Sequence, residues 1–250
     1  MELRKPLAAL LALGASFVFA SAASAAFPDY TGCPRTISGV SICVDVQDTS
    51  GALNIKGFNV PLGRSLEIRG GFIPNGTERP DFVPATGTNG FISQAVPVPG
   101  GLLGIEWLPG NSVLAITELA GSPSAIHFDV ESQGLSVPVK VRLVNVLLGM
   151  DCHIGTNSRP VVLNFTTGTT SPPAPNRPIR GHLGEISSTE EQIFIRDVLD
   201  VENSFAVPGA TECGLGLGLI NTLVNLKLRL PSAAGNNSVE VHNDIALRPF

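Results

Sequence analysis

Short segments in which apolar and polar side chains alternate recur along most of the chain. Ile42, Val44 and Val46 are separated by polar residues or cysteine, and the same period of two continues at 53–56 and 66–69. Because successive side chains of a strand point to opposite faces of a sheet, this period predicts half-buried strands. Glycine, asparagine and proline pairs predict the turns between them. The sequence therefore predicts an all-β protein of antiparallel strands, either a sandwich or two stacked β modules.

The clearest hairpin runs from Ile126 to Leu143, with its turn near Gly134. Its alternating apolar side chains are predicted to face the core: Ile126, Phe128, Val130, Val137, Val139, Val141 and Leu143. This register puts Asp129 opposite Lys140, and such cross-strand ion pairs contribute about 0.2–1 kcal/mol each. Pro138 on the outward face predicts that the second strand lies near a sheet edge, because proline cannot donate to a ladder of hydrogen bonds.

Further strands are predicted by the same criteria at 161–166, 192–198, 205–207 and 239–247. Residues 188–191 have the spacing of a helix capping box, but the alternating Ile193 and Ile195 favour a strand. The proline-rich stretch at 171–178 is interpreted as a loop, or as a seam between two modules that meet near 150–178.

One short helix is predicted over Leu217–Leu228, near the C-terminal third of the chain. Its apolar positions recur with the spacing of one helical face: Leu219, Ile220, Leu223 and Val224. Pro231 follows, and proline is typical of the residues just beyond a helix. Because Leu226 and Leu228 fall outside this stripe, the segment is either a helix buried on more than one side or a pair of strands.

The first 25 residues have the three parts of a secretory signal peptide. Arg4 and Lys5 are positively charged, and residues 7–20 are almost entirely apolar. Residues 23–25 have the small side chains that the cleaving peptidase requires, so we expect cleavage before Ala26. An uncleaved membrane anchor is the alternative, but this apolar run is shorter than the roughly 20 residues that span a bilayer.

Residues 1–25 are thus expected to be a signal peptide and residues 26–250 the mature, β-rich region. We find no later stretch long and apolar enough to be a transmembrane segment. The protein is therefore expected to be secreted or extracellular, either free or associated with the cell envelope.

The charge of the chain argues against nucleic acid as a partner. The whole sequence has 16 basic and 21 acidic side chains, and removal of residues 1–25 takes away two of the former and one of the latter. Lysine and arginine do not cluster, whereas a nucleic-acid interface requires a basic patch that neutralises phosphates. A cell-envelope component or another protein remains the expected class of partner.

All four cysteines, Cys33, Cys43, Cys152 and Cys213, lie in the expected mature region. An even number in an exported chain predicts two disulfides, for which three pairings are possible. The short separation across a predicted hairpin favours Cys33 with Cys43, which leaves Cys152 with Cys213. No C-x-x-C pair is present, which argues against a metal site built from these cysteines.

Two groups of polar residues are candidate metal ligands. His127, Asp129 and Glu131 share one face of a predicted strand, and His242 and Asp244 have the same spacing. Imidazole and carboxylate groups arranged in this way can bind a metal. The alternative, which we favour for both groups, is a solvated strand face, and no metal or other cofactor is predicted.

Two further patterns have a possible chemical meaning. Cys152 precedes His153, as in a thiol–imidazole pair, but a bridged cysteine is not nucleophilic and neighbouring strand residues point apart. Gly214, Gly216 and Gly218 precede the predicted helix, but their spacing differs from that of phosphate-binding loops and the required lysine is missing. We therefore assign no catalytic or cofactor-binding residue from sequence.

Two classes of function remain open. The many strands and the absence of a catalytic motif favour an extracellular or cell-envelope binding or structural module that is not an enzyme. The alternative is a secreted hydrolase whose active-site residues are scattered in sequence. The chain has no G-x-S-x-G motif, but other serine triads and carboxylate pairs have no reliable local signature.

Three segments resemble those of uncharacterised secreted proteins from high-GC Gram-positive bacteria. They read FAVPGA at 205–210 followed by Cys213 and Gly214, LPSAAGNN at 230–237, and TTGTTSPPAPN at 166–176. The resemblance covers roughly the last fifth of the chain together with the third segment. It implies an envelope or extracellular setting and identifies no catalytic residue.

Overall fold

The computed structural model describes residues 27–102, 104, 110–129, 134–214 and 218–250. The expected signal peptide, Val130, Glu131, Gly216 and Leu217 lie outside these residues. The described chain begins with the strands β1 (Ile42–Ile55), β2 (Phe58–Leu62), β3 (Leu66–Ile73), β4 (Asp81–Pro84), β5 (Phe91–Ser93), β6 (Val96–Pro97), β7 (Leu114–Leu119), β8 (His127–Asp129) and β9 (Gly134–Val144). It continues with β10 (His153–Ile154), β11 (Val161–Thr166), β12 (Glu185–Ser188), β13 (Ile193–Glu202), β14 (Ala210–Thr211), the helix α1 (Leu219–Leu228) and β15 (Asn237–Pro249).

The strands pair in one antiparallel sheet. Its main path has the order β14, β10, β9, β11, β13, β15, β1, β3 and β4, and the remaining strands pair beside this path. The longest pairing joins β1 to β15, so that residues near both ends of the described chain lie side by side. The predicted all-β, antiparallel class is confirmed, as is the single short helix in the C-terminal third.

The sheet curls, so that its two halves pack against each other through their inner faces. Val46 of β1 and Val241 of β15 line the same internal space as Val137 of β9 and Leu163 of β11. The core is therefore formed by alternate residues of distant strands, as the period of two requires.

The β8–β9 hairpin forms, but the predicted register is wrong. Asp129 lies opposite Gly134, whereas Lys140 lies opposite Glu118 of β7. Asp129 instead forms an ion pair with Arg79, 3.0 Å away. The inward positions that the alternation predicts are buried in β9: Val137, Val139 and Leu143.

Pro138 lies in the interior of the sheet, and the predicted edge position is wrong. One side of β9 pairs continuously with β11, where Pro138 is opposite Val162. On its other side, β7 ends opposite Val139 and β8 begins opposite Ser136. Pro138 lies opposite the gap between these two strands. The absence of its N–H therefore removes no hydrogen bond between strands.

The remaining predicted elements agree in part. The strands predicted at 161–166 and 239–247 form, and the strand predicted at 192–198 forms from Ile193 onwards. Residues 189–191, for which a helix start was the alternative, form the turn between β12 and β13. The predicted strand at 205–207 is wrong, since only Val207 makes an isolated bridge there. In α1, Val224 is buried, but Leu219 and Leu223 are 71% and 51% exposed, so half of the predicted apolar stripe faces outwards.

Both favoured disulfides are present. Cys33–Cys43 attaches the segment before β1 to that strand, and Cys152–Cys213 attaches the start of β10 to the segment before α1. Two such bridges are typical of proteins in oxidising compartments. Within the described ranges, we find no helix with the length and apolarity needed to cross a membrane.

The segments 166–176, 205–214 and 230–237 meet around the buried side chain of Asn237. Its amide donates to the carbonyl groups of Phe205 and Ala233, and its amide oxygen accepts a hydrogen bond of 2.6 Å from Ser232. Asn176 donates in turn to the backbone oxygen of Asn237 at 2.7 Å. These polar side chains form hydrogen bonds with buried backbone carbonyl groups that, in a regular strand, would be bonded to a neighbouring strand.

We predict that Asn237→Ala destabilises the protein by about 3 kcal/mol, because it leaves a buried hydroxyl and two carbonyl groups without their partner. The measurement is urea unfolding followed by circular dichroism. Asn236→Ala is the matched control, since that side chain makes only a hydrogen bond of 3.3 Å near the surface, and its effect should stay within about 0.5 kcal/mol. Equal stabilities of the two variants would contradict the role given to Asn237.

Candidate ligand-binding cavity

An apolar cavity of about 210 Å³ lies inside the curled sheet. Most of its lining is aliphatic or aromatic: Val44, Val46, Phe72, Phe128, Leu135, Leu183, Ile186, Ile195, Val198, Ile245 and Leu247. Asp129, Gly134, Thr167 and Asp200 complete the lining. This composition is typical of small-molecule sites, which are mainly apolar with a few polar groups.

The pairing of β1 with β15 builds one wall of the cavity. Val44 lies directly opposite Leu247, and Val46 directly opposite Ile245. All four side chains point inwards, because residues opposite each other in an antiparallel pair share a face of the sheet. Phe72 and Phe128 contribute an edge-to-face ring pair with centroids 4.9 Å apart.

The cavity opens beside β12, which pairs with β13 alone among the described strands. Leu183 and Ile186 line the cavity and are nevertheless 37% and 63% exposed. Large apolar side chains that are exposed next to a cavity are characteristic of a ligand-binding opening. We therefore place the opening at these two residues.

Asp200 is the deeply buried acidic group of the lining. Its Oδ2 accepts a hydrogen bond of 2.7 Å from Nδ2 of Asn243. Burial raises the pKa of Asp200 from its ordinary value of 3.8 to about 6, although the hydrogen bond from Asn243 opposes the shift. The other acidic group, Asp129, lies nearer the surface and is paired with Arg79.

A second, smaller cavity of about 50 Å³ shares Val46 and Leu135 with the first. Asp48 lies in its lining, but its carboxylate already accepts hydrogen bonds from the Ser65 hydroxyl and the Leu66 amide, each 2.9 Å long. This space therefore extends the apolar interior and adds no unsatisfied acidic group.

The candidate metal ligands do not converge. Asp129 is engaged by Arg79, Glu131 lies outside the described residues, and Asp244 is engaged by Arg196 at 2.6 Å. In the part of the chain that the structure describes, no group of three or more histidine, cysteine or acidic side chains is arranged to hold a metal ion.

His242 instead belongs to a surface network that also contains His182. Its Nδ1 lies 2.5 Å from Oδ1 of Asp197, and Nε2 of His182 lies 3.9 Å from Oδ2 of the same carboxylate. Asp197 occupies an irregularity of β13 and has a φ of 57°, which is unfavourable for residues other than glycine. The described residues place no hydroxyl or thiol within hydrogen-bond distance of the second His242 nitrogen, and we assign no catalysis to this network.

The cysteine and glycine patterns have structural roles. Cys152 is bridged, and Nδ1 of His153 lies 2.8 Å from the backbone oxygen of Asp151. Gly214 has a φ of 71°, and a Cβ atom there would lie 2.5 Å from the Ile220 side chain. Close packing and backbone conformation therefore account for this glycine.

The sequence analysis did not identify Asp200, Leu183 or Ile186. One signal for Asp200 was present, since it continues the alternation of the inward-facing Val198 and so places an acidic side chain at a core position. Leu183 and Ile186 had no comparable signal, because the cavity beside them is created by strands that are distant in sequence.

We predict that Asp200→Asn becomes more stable relative to the unmodified protein as the pH rises from 4 to 8. The raised pKa means that the folded state binds more protons than the unfolded state between about pH 4 and 6, so the contribution of Asp200 to stability is lost over this range. Asparagine has no such dependence. The stability difference, measured by urea unfolding, should change by up to about 3 kcal/mol. A difference independent of pH would contradict the prediction.

We also predict that Asp197→Gly is more stable than Asp197→Ala by about 1 kcal/mol. Both variants lose the carboxylate and keep the positive φ of this position, but that conformation is strained for alanine and not for glycine. Thermal unfolding of the two variants measures this difference. A more stable alanine variant would show that the backbone at this position does not retain its left-handed conformation.

Comparison with known proteins adds no assignment to the cavity. The chain matches no protein-family model, no curated protein and no solved structure. Inference about function therefore rests on the geometry and chemistry of the site.

Proposed function

We propose that this chain is an exported, non-enzymatic binding protein that takes a small apolar molecule into the cavity of its curled sheet, outside the cell or at the cell envelope. The observation that carries the proposal is the internal apolar space of about 210 Å³ with the exposed Leu183 and Ile186 at its opening. Burial of a ligand's apolar surface there supplies the driving force for binding.

The volume restricts the size of the ligand. An engineered apolar cavity of roughly 150 Å³ is enough to bind benzene, whereas sites for drug-sized molecules occupy roughly 300–1,000 Å³. The present cavity lies between these sizes. It suits a molecule of about two fused rings or a medium-length hydrocarbon chain.

The export signal and the disulfides support the proposed setting. The N-terminal 25 residues have the pattern of a signal peptide, and both disulfides close within the described chain. The resemblance of residues 166–176, 205–214 and 230–237 to segments of secreted bacterial proteins implies the same setting. An envelope location would place the protein where small apolar molecules partition near lipid.

We expect naphthalene to bind the purified, disulfide-bonded protein with one-to-one stoichiometry, measured by NMR titration. Ile195→Trp should abolish this binding, because the indole ring fills the cavity that Ile195 lines. Phe194→Trp is the control: it introduces the same indole ring at the neighbouring position of β13, on the opposite face of the sheet and outside the lining, and should bind as the unmodified protein does.

Failure of naphthalene to bind the unmodified protein, or equal binding by both tryptophan variants, would overturn the proposed function. Turnover of ester, peptide or glycan substrates by the purified protein would support the hydrolase alternative instead.

A further inference from the structure

Asp200 differs from the rest of the cavity wall in its charge and in its isolation. Among the described residues, no lysine, arginine or histidine forms an ion pair with it, and its hydrogen bond comes from the neutral amide of Asn243. The other carboxylate of the lining, Asp129, is already paired with Arg79. A mainly apolar site therefore contains one carboxyl group that has no cationic partner among the described residues.

We propose that the ligand is a small apolar molecule with a hydrogen-bond donor at one end, an alcohol or a primary amine, whose head group binds the carboxyl group of Asp200. The hydrocarbon part fills the space between the paired strands β1 and β15 and the Phe72–Phe128 ring pair. This inference rests on the proposed function and specifies the ligand class of the same cavity.

Two physical arguments lead to this class. A carboxylate binds an ammonium or hydroxyl group through a charge-assisted hydrogen bond, which is about twice as strong as a neutral one. A ligand carboxylate would place a second negative charge beside Asp200 in a region of low dielectric constant, where like charges repel strongly. The cavity should therefore discriminate by head group between ligands that have the same hydrocarbon chain.

The distribution of polar and apolar residues in the cavity wall fits a ligand whose head group binds Asp200. Thr166 pairs with Val201 of β13, so the next residue of one strand, Thr167, and the preceding residue of the other, Asp200, come close together. Among the described lining residues, the polar side chains other than Asp129 therefore belong to one side. Val44, Val46 and Leu135 belong to strands β1 and β9 and are purely aliphatic. A molecule with one polar end matches such a division of the wall.

The first experiment uses the unmodified protein and three eight-carbon ligands, 1-octylamine, 1-octanol and octanoate, titrated at pH 7.5 by calorimetry. We expect octylamine and octanol to bind at least about tenfold more tightly than octanoate. In NMR spectra, the side-chain amide of Asn243 should shift on addition of octylamine, since it lies 2.7 Å from the Asp200 carboxylate.

The second experiment compares Asp200→Asn with Asp129→Asn. The first variant removes the negative charge but keeps a hydrogen-bond acceptor, so the preference for octylamine over octanoate should fall to within about threefold. The second variant removes the carboxylate that Arg79 already neutralises, and the preference should persist.

The outcomes separate the two proposals. Binding of naphthalene together with equal affinities for octylamine and octanoate would overturn the head-group inference and leave the proposed function intact. A preference that survives Asp200→Asn would also overturn it. If neither naphthalene nor any eight-carbon ligand binds, both proposals are overturned. Should Asp200→Asn fail to fold, the ligand preference of the unmodified protein and the Asn243 shift still decide the inference.

Discussion

The pairing of β1 with β15 is the constraint on which the rest of the structure depends. Thirteen residue pairs join these strands and bring the two ends of the described chain together across roughly 200 residues of sequence. β1 also pairs with β3, and β15 with β13, so both strands lie in the interior of the sheet's main path and join its two parts. Without this pairing, the strands that follow β1 and those that precede β15 have no common sheet, and the cavity between them has no wall.

The cavity follows from this pairing and from the alternation of side chains. Val44 and Val46 face inwards together with Leu247 and Ile245, and the outward positions between them hold polar or small residues. One outward carboxyl group, Asp45, is itself buried beneath the segment before β1, where its Oδ2 accepts a hydrogen bond of 2.7 Å from the Asp29 amide. Burial raises the pKa of Asp45 to about 7. Buried acids therefore lie on both faces of the sheet, and Asp200 is the one that lines the larger cavity.

The local pattern in the sequence predicted the strands well, because alternation depends on each segment alone. It predicted the inward faces of β1 and β9, the strand β15 and the helix α1. It failed on the register of Asp129, because β9 already begins at Gly134, where the sequence predicted the turn. It also failed on Pro138, whose position depends on the gap between β8 and β7, which the pattern of a single strand does not show. The cavity could not be predicted for the same reason, since its lining comes from strands at opposite ends of the sequence.

The interior is not completely filled because the two strands that flank β15 pair with it irregularly. Both neighbours depart from regular pairing near Asn243: β1 shifts register between Asp48 and Ser50, and β13 does so between Ile195 and Val198. Bulges bend a strand and increase its twist, so two of them at the same level of β15 curve the sheet there. The inward side chain of Asn243 lies at this bend and donates to Asp200. The curvature that closes the sheet thus also separates its inner faces, and it places the buried carboxyl group of the cavity at the position where they separate.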